Sequence, residues 1–93
     1  MDIIFTKSAL EDLKNLQKYI YENNQEAAKK VQTQIIKQIE TLLPKNPGIG
    51  RAGRVLRTRE LVITKYPYIV PYQVRGSNIY ILRILHTSRK WKP

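Results

Sequence analysis

The apolar residues of this chain change their period once, and that change separates a helical half from a strand half. Leu10, Leu13, Leu16 and Ile20 recur at near-helical spacing up to about Tyr21, and Ala28, Val31, Ile35, Ile39 and Leu42 do so again before Pro44. From residue 59 the period falls to 2, with β-branched and aromatic residues over 59–64, 68–75 and 78–85. Between the halves, Pro44 to Gly53 holds two Pro and three Gly and reads as a loop. A short apolar run over residues 2–5 adds a brief first strand, so the expected order is β-α-α-β-β-β.

Local signals place the boundaries. Ser8-Ala9-Leu10-Glu11 has capping-box spacing and predicts a helix from Ser8, while Asn23 with Glu26 repeats that spacing and predicts a second helix close behind. Neither helix can bury its stripe alone. The fold class that follows is α+β, an αα-hairpin packed on one face of an antiparallel sheet whose other face stays open for a partner. Arg75-Gly76-Ser77-Asn78 is a compact turn between the last two strands. Pro71 lacks an N–H and must sit at an edge, at a bulge or with its missing donor facing outward. Slipping the 68–75 and 78–85 pair by one residue would carry Arg83 from one sheet face to the other. At 93 residues the chain is expected to form one domain, 1–93, around one core.

Charge divides along the same line. Residues 1–40 carry six Lys and six Asp or Glu, so the whole formal charge of +10 falls on residues 41–93, where eleven basic residues face only Glu60. A basic surface of this kind concentrates polyanions, whether nucleic acid, an acidic protein or an anionic membrane. With no Cys and one His, zinc ribbons, iron–sulfur ligation and thiol chemistry are excluded, and neither metal nor cofactor is expected. The start, Met1 to Phe5, lacks a basic leader, and the apolar run Ile79–Leu85 is broken by Arg83, which points to a cytoplasmic protein without a membrane span.

The basic residues fall into two groups, Arg51, Arg54, Arg57 and Arg59 entering the sheet, and Arg83, Arg89, Lys90 and Lys92 leaving it. Arginine suits phosphate and carboxylate because its planar fork bonds two oxygens at once, and both groups could converge beside the sheet. The plainer reading is a solvated basic surface without a single target. His86 is a candidate acid or base at the end of the last strand, or a structural residue there. A metal-free ribonuclease would need a base, an acid and cations for the phosphorane charge, which His86, a tyrosine and two arginines could supply. Trp91 and the tyrosines at 66, 68, 72 and 80 could stack on bases, although Tyr72 reads as core and Trp91 fits a base platform, a partner contact or a lid equally well.

Several stretches together resemble the RelE/ParE toxin superfamily of type II toxin-antitoxin modules over essentially the whole chain. They are Asn46-Pro47-Gly48-Ile49-Gly50-Arg51, Arg59-Glu60-Leu61, Tyr68-Ile69-Val70-Pro71-Tyr72-Gln73-Val74 and Ile81-Leu82-Arg83-Ile84-Leu85-His86, set in the β-α-α-β-β-β order. The resemblance implies a growth-arresting bacterial protein encoded beside an antitoxin, a partner with an acidic or amphipathic segment that wraps it. Two activities share this fold, so fold alone does not decide between them. RelE-like members are ribosome-dependent mRNA endonucleases, and ParE-like members poison DNA gyrase.

In the RelE-like nucleases an Arg usually follows the first aromatic of the strand written here Tyr68-Ile69, and this chain has Ile69 there. The basic pair one strand earlier would fall on Glu60 and Val62 unless a shift brings in Arg57 and Arg59, and no Tyr lies among Arg89, Lys90, Trp91, Lys92 and Pro93. The Pro-Gly-x-Gly loop and the Leu-Arg-x-Leu-His strand are similar to ParE-type sequences. The expected function is therefore a ParE-like action on gyrase. Its alternatives are an mRNA endonuclease on the ribosome, drawing on Arg59, Arg83, His86 and Arg89, and a non-enzymatic basic nucleic-acid-binding module. Target or antitoxin binding would fall to Arg51, Arg54, Arg57, Arg59, Arg83, Arg89, Lys90, Trp91 and Lys92.

Overall fold

A computed structural model describes residues 1–19 and 24–88. The elements run β1 (Asp2–Phe5), α1 (Lys7–Tyr19), α2 (Gln25–Leu42), β2 (Arg51–Ala52), β3 (Arg59–Val62), β4 (Tyr68–Arg75), β5 (Asn78–Ile81) and β6 (Leu85–His86). This is the expected α+β order with two short strands added. The sheet order is β1-β5-β4-β3-β2, and β6 also pairs with β4. All pairings are antiparallel except that of β1, which lies parallel to β5 with Ile3 beside Ile79 and Phe5 beside Ile81. The sheet is thus mixed, because the chain after β1 must cross over through both helices before β5 can form.

Both helix starts differ from the capping-box expectation. The first cap is Thr6 rather than Ser8: its Oγ1 accepts the Ala9 N–H at 3.1 Å, and its carbonyl accepts the Leu10 N–H at 3.0 Å. Starting the helix at Lys7 puts Ala9 and Leu16 in the core with Leu13 packed against it, while Leu10 turns outward at 48% exposure. In the second helix Asn24 caps, its Oδ1 accepting the Ala27 N–H at 3.0 Å; Asn23, Ile20 and Tyr21 lie outside the described residues.

Four residues of the α2 stripe are buried as read, Ala28, Val31, Ile35 and Ile39, but Leu42 is only half-buried and Leu43 takes the last core position. Gln38 fastens that helix to the sheet by donating to the Thr64 carbonyl and accepting the Thr64 N–H, at 3.2 and 3.0 Å. The core between helices and sheet joins Ile35, Ile39 and Leu43 to Leu61, Val70, Tyr72, Ile79 and Ile81.

The last strand does not run unbroken to Leu85. Ile81 pairs with Tyr72, and the Leu82 N–H donates to the Pro71 carbonyl at 2.9 Å, but Leu85 pairs with Ile69, so Arg83 and Ile84 together oppose Val70. One extra residue in one strand is a β-bulge. Pro71 sits at its lip. A regular pair would return an N–H from residue 71 to the Leu82 carbonyl, which proline cannot do. That carbonyl accepts the Thr6 hydroxyl instead, at 3.0 Å. The bulge also turns Arg83 out of strand alternation and toward α1, where Asp12 Oδ2 accepts from Arg83 Nε at 2.7 Å and Oδ1 from Nη2 at 3.0 Å. Oδ2 accepts the Ile84 N–H as well, at 2.9 Å. The bulge and the bond to Asp12, rather than the register of a regular pair, therefore decide where Arg83 points.

Replacing Thr6 by Val removes a helix cap and leaves the Leu82 carbonyl without a donor, a loss of about 2 kcal/mol. The melting temperature should fall on the order of 10 °C. Thr6→Ser, which keeps the hydroxyl, should recover most of the loss in the same calorimetric scan.

Candidate functional site

The basic loop after α2 is organised by one carboxylate. Antiparallel register sets Arg51 opposite Glu60 and Ala52 opposite Arg59. Glu60, 1% exposed, accepts Arg51 Nε and Nη2 on Oε1 at 3.3 and 3.1 Å and the Arg54 N–H on Oε2 at 3.1 Å. A buried carboxylate persists only with such donors around it. The one acidic residue of the basic half is thus spent inside the fold, and it neutralises Arg51.

Tyr72 holds the other end of the loop from beneath. Its side chain is fully buried, its hydroxyl donates to the Pro47 carbonyl at 2.7 Å, and it accepts the Gly50 N–H at 2.8 Å. A Cβ on Gly50 would lie 2.7 Å from the Tyr72 ring and hydroxyl, so the loop can approach the phenol this closely only with glycine there. From above, Arg59 Nη1 donates to the Gly50 and Gly48 carbonyls, at 2.9 and 3.3 Å. Burial raises the Tyr72 phenol above its ordinary value of 10.0; the Gly50 N–H and the Arg59 charge oppose that shift only in part.

Between β2 and β3 the chain makes a tight four-residue tip. The Gly53 N–H donates to the Thr58 carbonyl at 2.9 Å, and the Thr58 N–H and hydroxyl both reach the Val55 carbonyl, at 3.2 and 2.6 Å. Gly53 is required because a Cβ would lie 2.1 Å from Thr58 Oγ1. Arg57 takes a left-handed φ of 67°, and its carbonyl accepts from Gln73 Nε2 at 3.2 Å. Leu56 stands at the apex, 84% exposed. Arg54, Arg57 and Arg59 are all exposed around this loop, and among the described residues none of the three has a carboxylate partner.

The second basic group divides differently. Arg83 is bound to Asp12 on α1, whose carboxylate raises the guanidinium pKa further, and it does not join the first group. His86 lies edge-on to the Tyr68 ring, 5.4 Å between centroids. Its Nδ1 accepts the Ser88 N–H at 3.1 Å and lies 2.8 Å from Ser88 Oγ, so this nitrogen closes the turn after β6. Arg59 pairs with Tyr72 and His86 with Tyr68, four residues apart and so about 13 Å along β4. Arg89, Lys90, Trp91 and Lys92 lie outside the described residues. Tyr80 is half-buried, with the Arg75 guanidinium 5.9 Å above its ring. No group of three or more His, Cys, Asp or Glu able to hold a metal occurs among the described residues, and no described helix is long and apolar enough to cross a membrane.

Three organising residues escaped the reading of the sequence: Thr6, Asp12 and Glu60. Glu60 did carry a signal, since a lone acidic residue inside a basic segment with strand periodicity has cations for cross-strand neighbours wherever the register falls. Asp12 carried none, because its partner is 71 positions away.

Tyr72→Phe leaves the Gly50 N–H and Pro47 carbonyl unpaired and should cost about 2 kcal/mol in denaturant unfolding. It should also change the alkaline limb. A raised phenol pKa favours folding fully while the unfolded-state tyrosine stays protonated, below about 10, and that contribution is lost as pH rises through the folded value. The wild type should therefore lose stability above pH 10 more steeply than Tyr72→Phe does, measured as paired unfolding titrations.

Comparison with known proteins agrees with this geometry. Residues 3–91 match the family described as "ParE toxin of type II toxin-antitoxin system, parDE". The curated protein named "Putative toxin Y4kP", from Sinorhizobium fredii (strain NBRC 101917 / NGR234), is 35% identical over 89 residues, covering 96% of this chain and 91% of that protein. A solved structure titled "Chromosomal ParDE TA system from P. aeruginosa" superposes with a TM-score of 0.81 at 32% identity, covering 92% of this chain and 95% of the other. Helical hairpin, five-strand sheet path and basic half agree with a match that takes in nearly every residue, and the chain belongs to the ParE toxin family of type II toxin-antitoxin systems.

Proposed function

We propose that this toxin arrests growth in the cytoplasm by poisoning DNA gyrase, and that an antitoxin with an acidic or amphipathic segment neutralises it. The observation that carries the reading is the disposition of the described candidate nuclease groups, Arg89 lying outside the described residues. Arg59 is engaged with the loop carbonyls, Arg83 with Asp12 and His86 with Ser88, in three separate places. General acid-base cleavage needs its acid, base and cation within hydrogen-bond reach of one phosphate. Ile69, at the position where the resemblance would lead one to look for a phosphate-binding Arg, is buried at 2% exposure. A poison that holds another enzyme's intermediate needs no such set. It needs a rigid surface of the right charge, and the loop around Glu60 supplies one. The antitoxin part rests on membership of the family and on the solved relative from P. aeruginosa, whose title names a ParDE system. An anionic partner with apolar anchors is the chemistry that would cover a +10 protein.

Pulse incorporation of labelled thymidine and methionine, taken within minutes of inducing the chain in bacteria without antitoxin, tests the target. Thymidine incorporation should fall first, and purified gyrase with plasmid should accumulate cleaved complexes when the toxin is added. Methionine falling first, with no cleaved complexes, would instead assign the arrest to translation and to cleavage of ribosome-bound mRNA.

A further inference from the structure

We infer that the tip Arg54-Val55-Leu56-Arg57 is the anchor by which the toxin engages the folded protein it poisons, with Leu56 entering an apolar socket rimmed by carboxylates. The inference deepens the proposed function and rests on it for the name of the target.

Three observations meet at this tip. Leu56 is the most exposed large apolar residue among those described, at 84%, and it stands in the tight turn between β2 and β3. The turn is held rigid by the Gly53–Thr58 closure, by the two bonds of Thr58 to the Val55 carbonyl and by the bond of Gln73 to the Arg57 carbonyl. Glu60 tethers the Arg54 N–H while its charge is matched by Arg51, so Arg54 and Arg57 flank Leu56 with their own charges unopposed. Arg57 also holds a positive φ, which any residue but glycine adopts at a cost, and that conformation bends the chain so that Leu56 is displayed.

The shape of the tip selects the partner. A single side chain projecting from a rigid turn needs a concavity to fill, and concavities of that size belong to folded proteins. A partner that binds as a lone helix or an extended strand offers side chains but no socket to receive one. Two flanking guanidiniums ask for carboxylates at the rim, where opposite charge speeds encounter and fixes orientation. Full burial of a leucine is worth roughly ten- to a hundredfold in affinity, enough for one residue to act as a hot spot. Duplex DNA could take Leu56 only as a wedge between base pairs, at the expense of unstacking them.

The test compares wild type with Leu56→Asp, Leu56→Met and the double variant Arg54→Ala/Arg57→Asn, the last using Asn because it tolerates positive φ. Growth arrest, affinity for purified gyrase, affinity for a duplex oligonucleotide, co-purification with the co-encoded antitoxin and melting temperature are measured for each. Leu56→Asp should lose at least tenfold in gyrase affinity and abolish arrest, Leu56→Met should keep both, and the double variant should bind more weakly with a shallower salt dependence. In both Leu56 variants, melting temperature and antitoxin binding should stay at wild-type values. Full toxicity in Leu56→Asp overturns the inference; so does a parallel loss of antitoxin binding, which would make the tip an antitoxin contact, or a loss confined to the oligonucleotide, which would make it a DNA wedge. Should the wild type arrest growth without binding gyrase, the gyrase reading fails alone, and the effect of Leu56→Asp on that arrest still decides the role of the tip.

Discussion

The fold depends on a hydrogen bond that Pro71 cannot make. In the middle of the longest strand the ladder to the segment after β5 is half-closed: the Leu82 N–H reaches the Pro71 carbonyl, and proline has no N–H to return. The strand bulges at that place, and two consequences tie the helical half to the sheet half. The orphaned Leu82 carbonyl is taken by Thr6, whose hydroxyl also caps α1, and the displaced Arg83 is taken by Asp12, six residues further along the same helix. A proline in a central strand is ordinarily a defect. Here the vacancy it creates fixes where the first helix lies.

One residue further along β4 a second buried group does comparable work on the loop. Tyr72 draws the Pro47 carbonyl and Gly50 N–H down onto the sheet, and Glu60 holds Arg51 and the Arg54 N–H from the next strand. Between them these two side chains convert a stretch rich in proline and glycine into a rigid mount. Loops without such ties sample many conformations and forfeit affinity when they are ordered on binding. The polar groups invested inside therefore preorganise the cations that remain outside.

Much of this was legible in the sequence, and what was not has a common cause. The change of period located both helices and the sheet, four of the five α2 stripe positions were read correctly, with Leu43 rather than Leu42 as the buried fifth, and Tyr72 was recognised as core from its place in an apolar strand. Proline at 71 announced an irregularity, bulge included. Helix starts were missed by one or two positions because Thr6, Ser8, Asn23 and Asn24 are all competent caps, and local spacing does not rank them. The basic group at 51–59 was visible as composition, but its division into a neutralised Arg51 and unopposed Arg54 and Arg57 was not. That division follows from strand register, as the Asp12–Arg83 pair follows from the bulge, and both are tertiary facts.

The parallel pairing of β1 carries a further consequence, for the order of events at the ribosome. Asp2 to Phe5 are made 76 residues before their partners, Asn78 to Ile81, and the Thr6 and Asp12 contacts likewise wait for Leu82 and Arg83. At about 5–20 residues per second that separation lasts roughly 4–15 seconds. Throughout that interval the apolar stripes of both helices have no finished sheet to cover them. A toxin built this way stays open until β5 has been made, and its fold is then closed by the step that sets β1 beside β5.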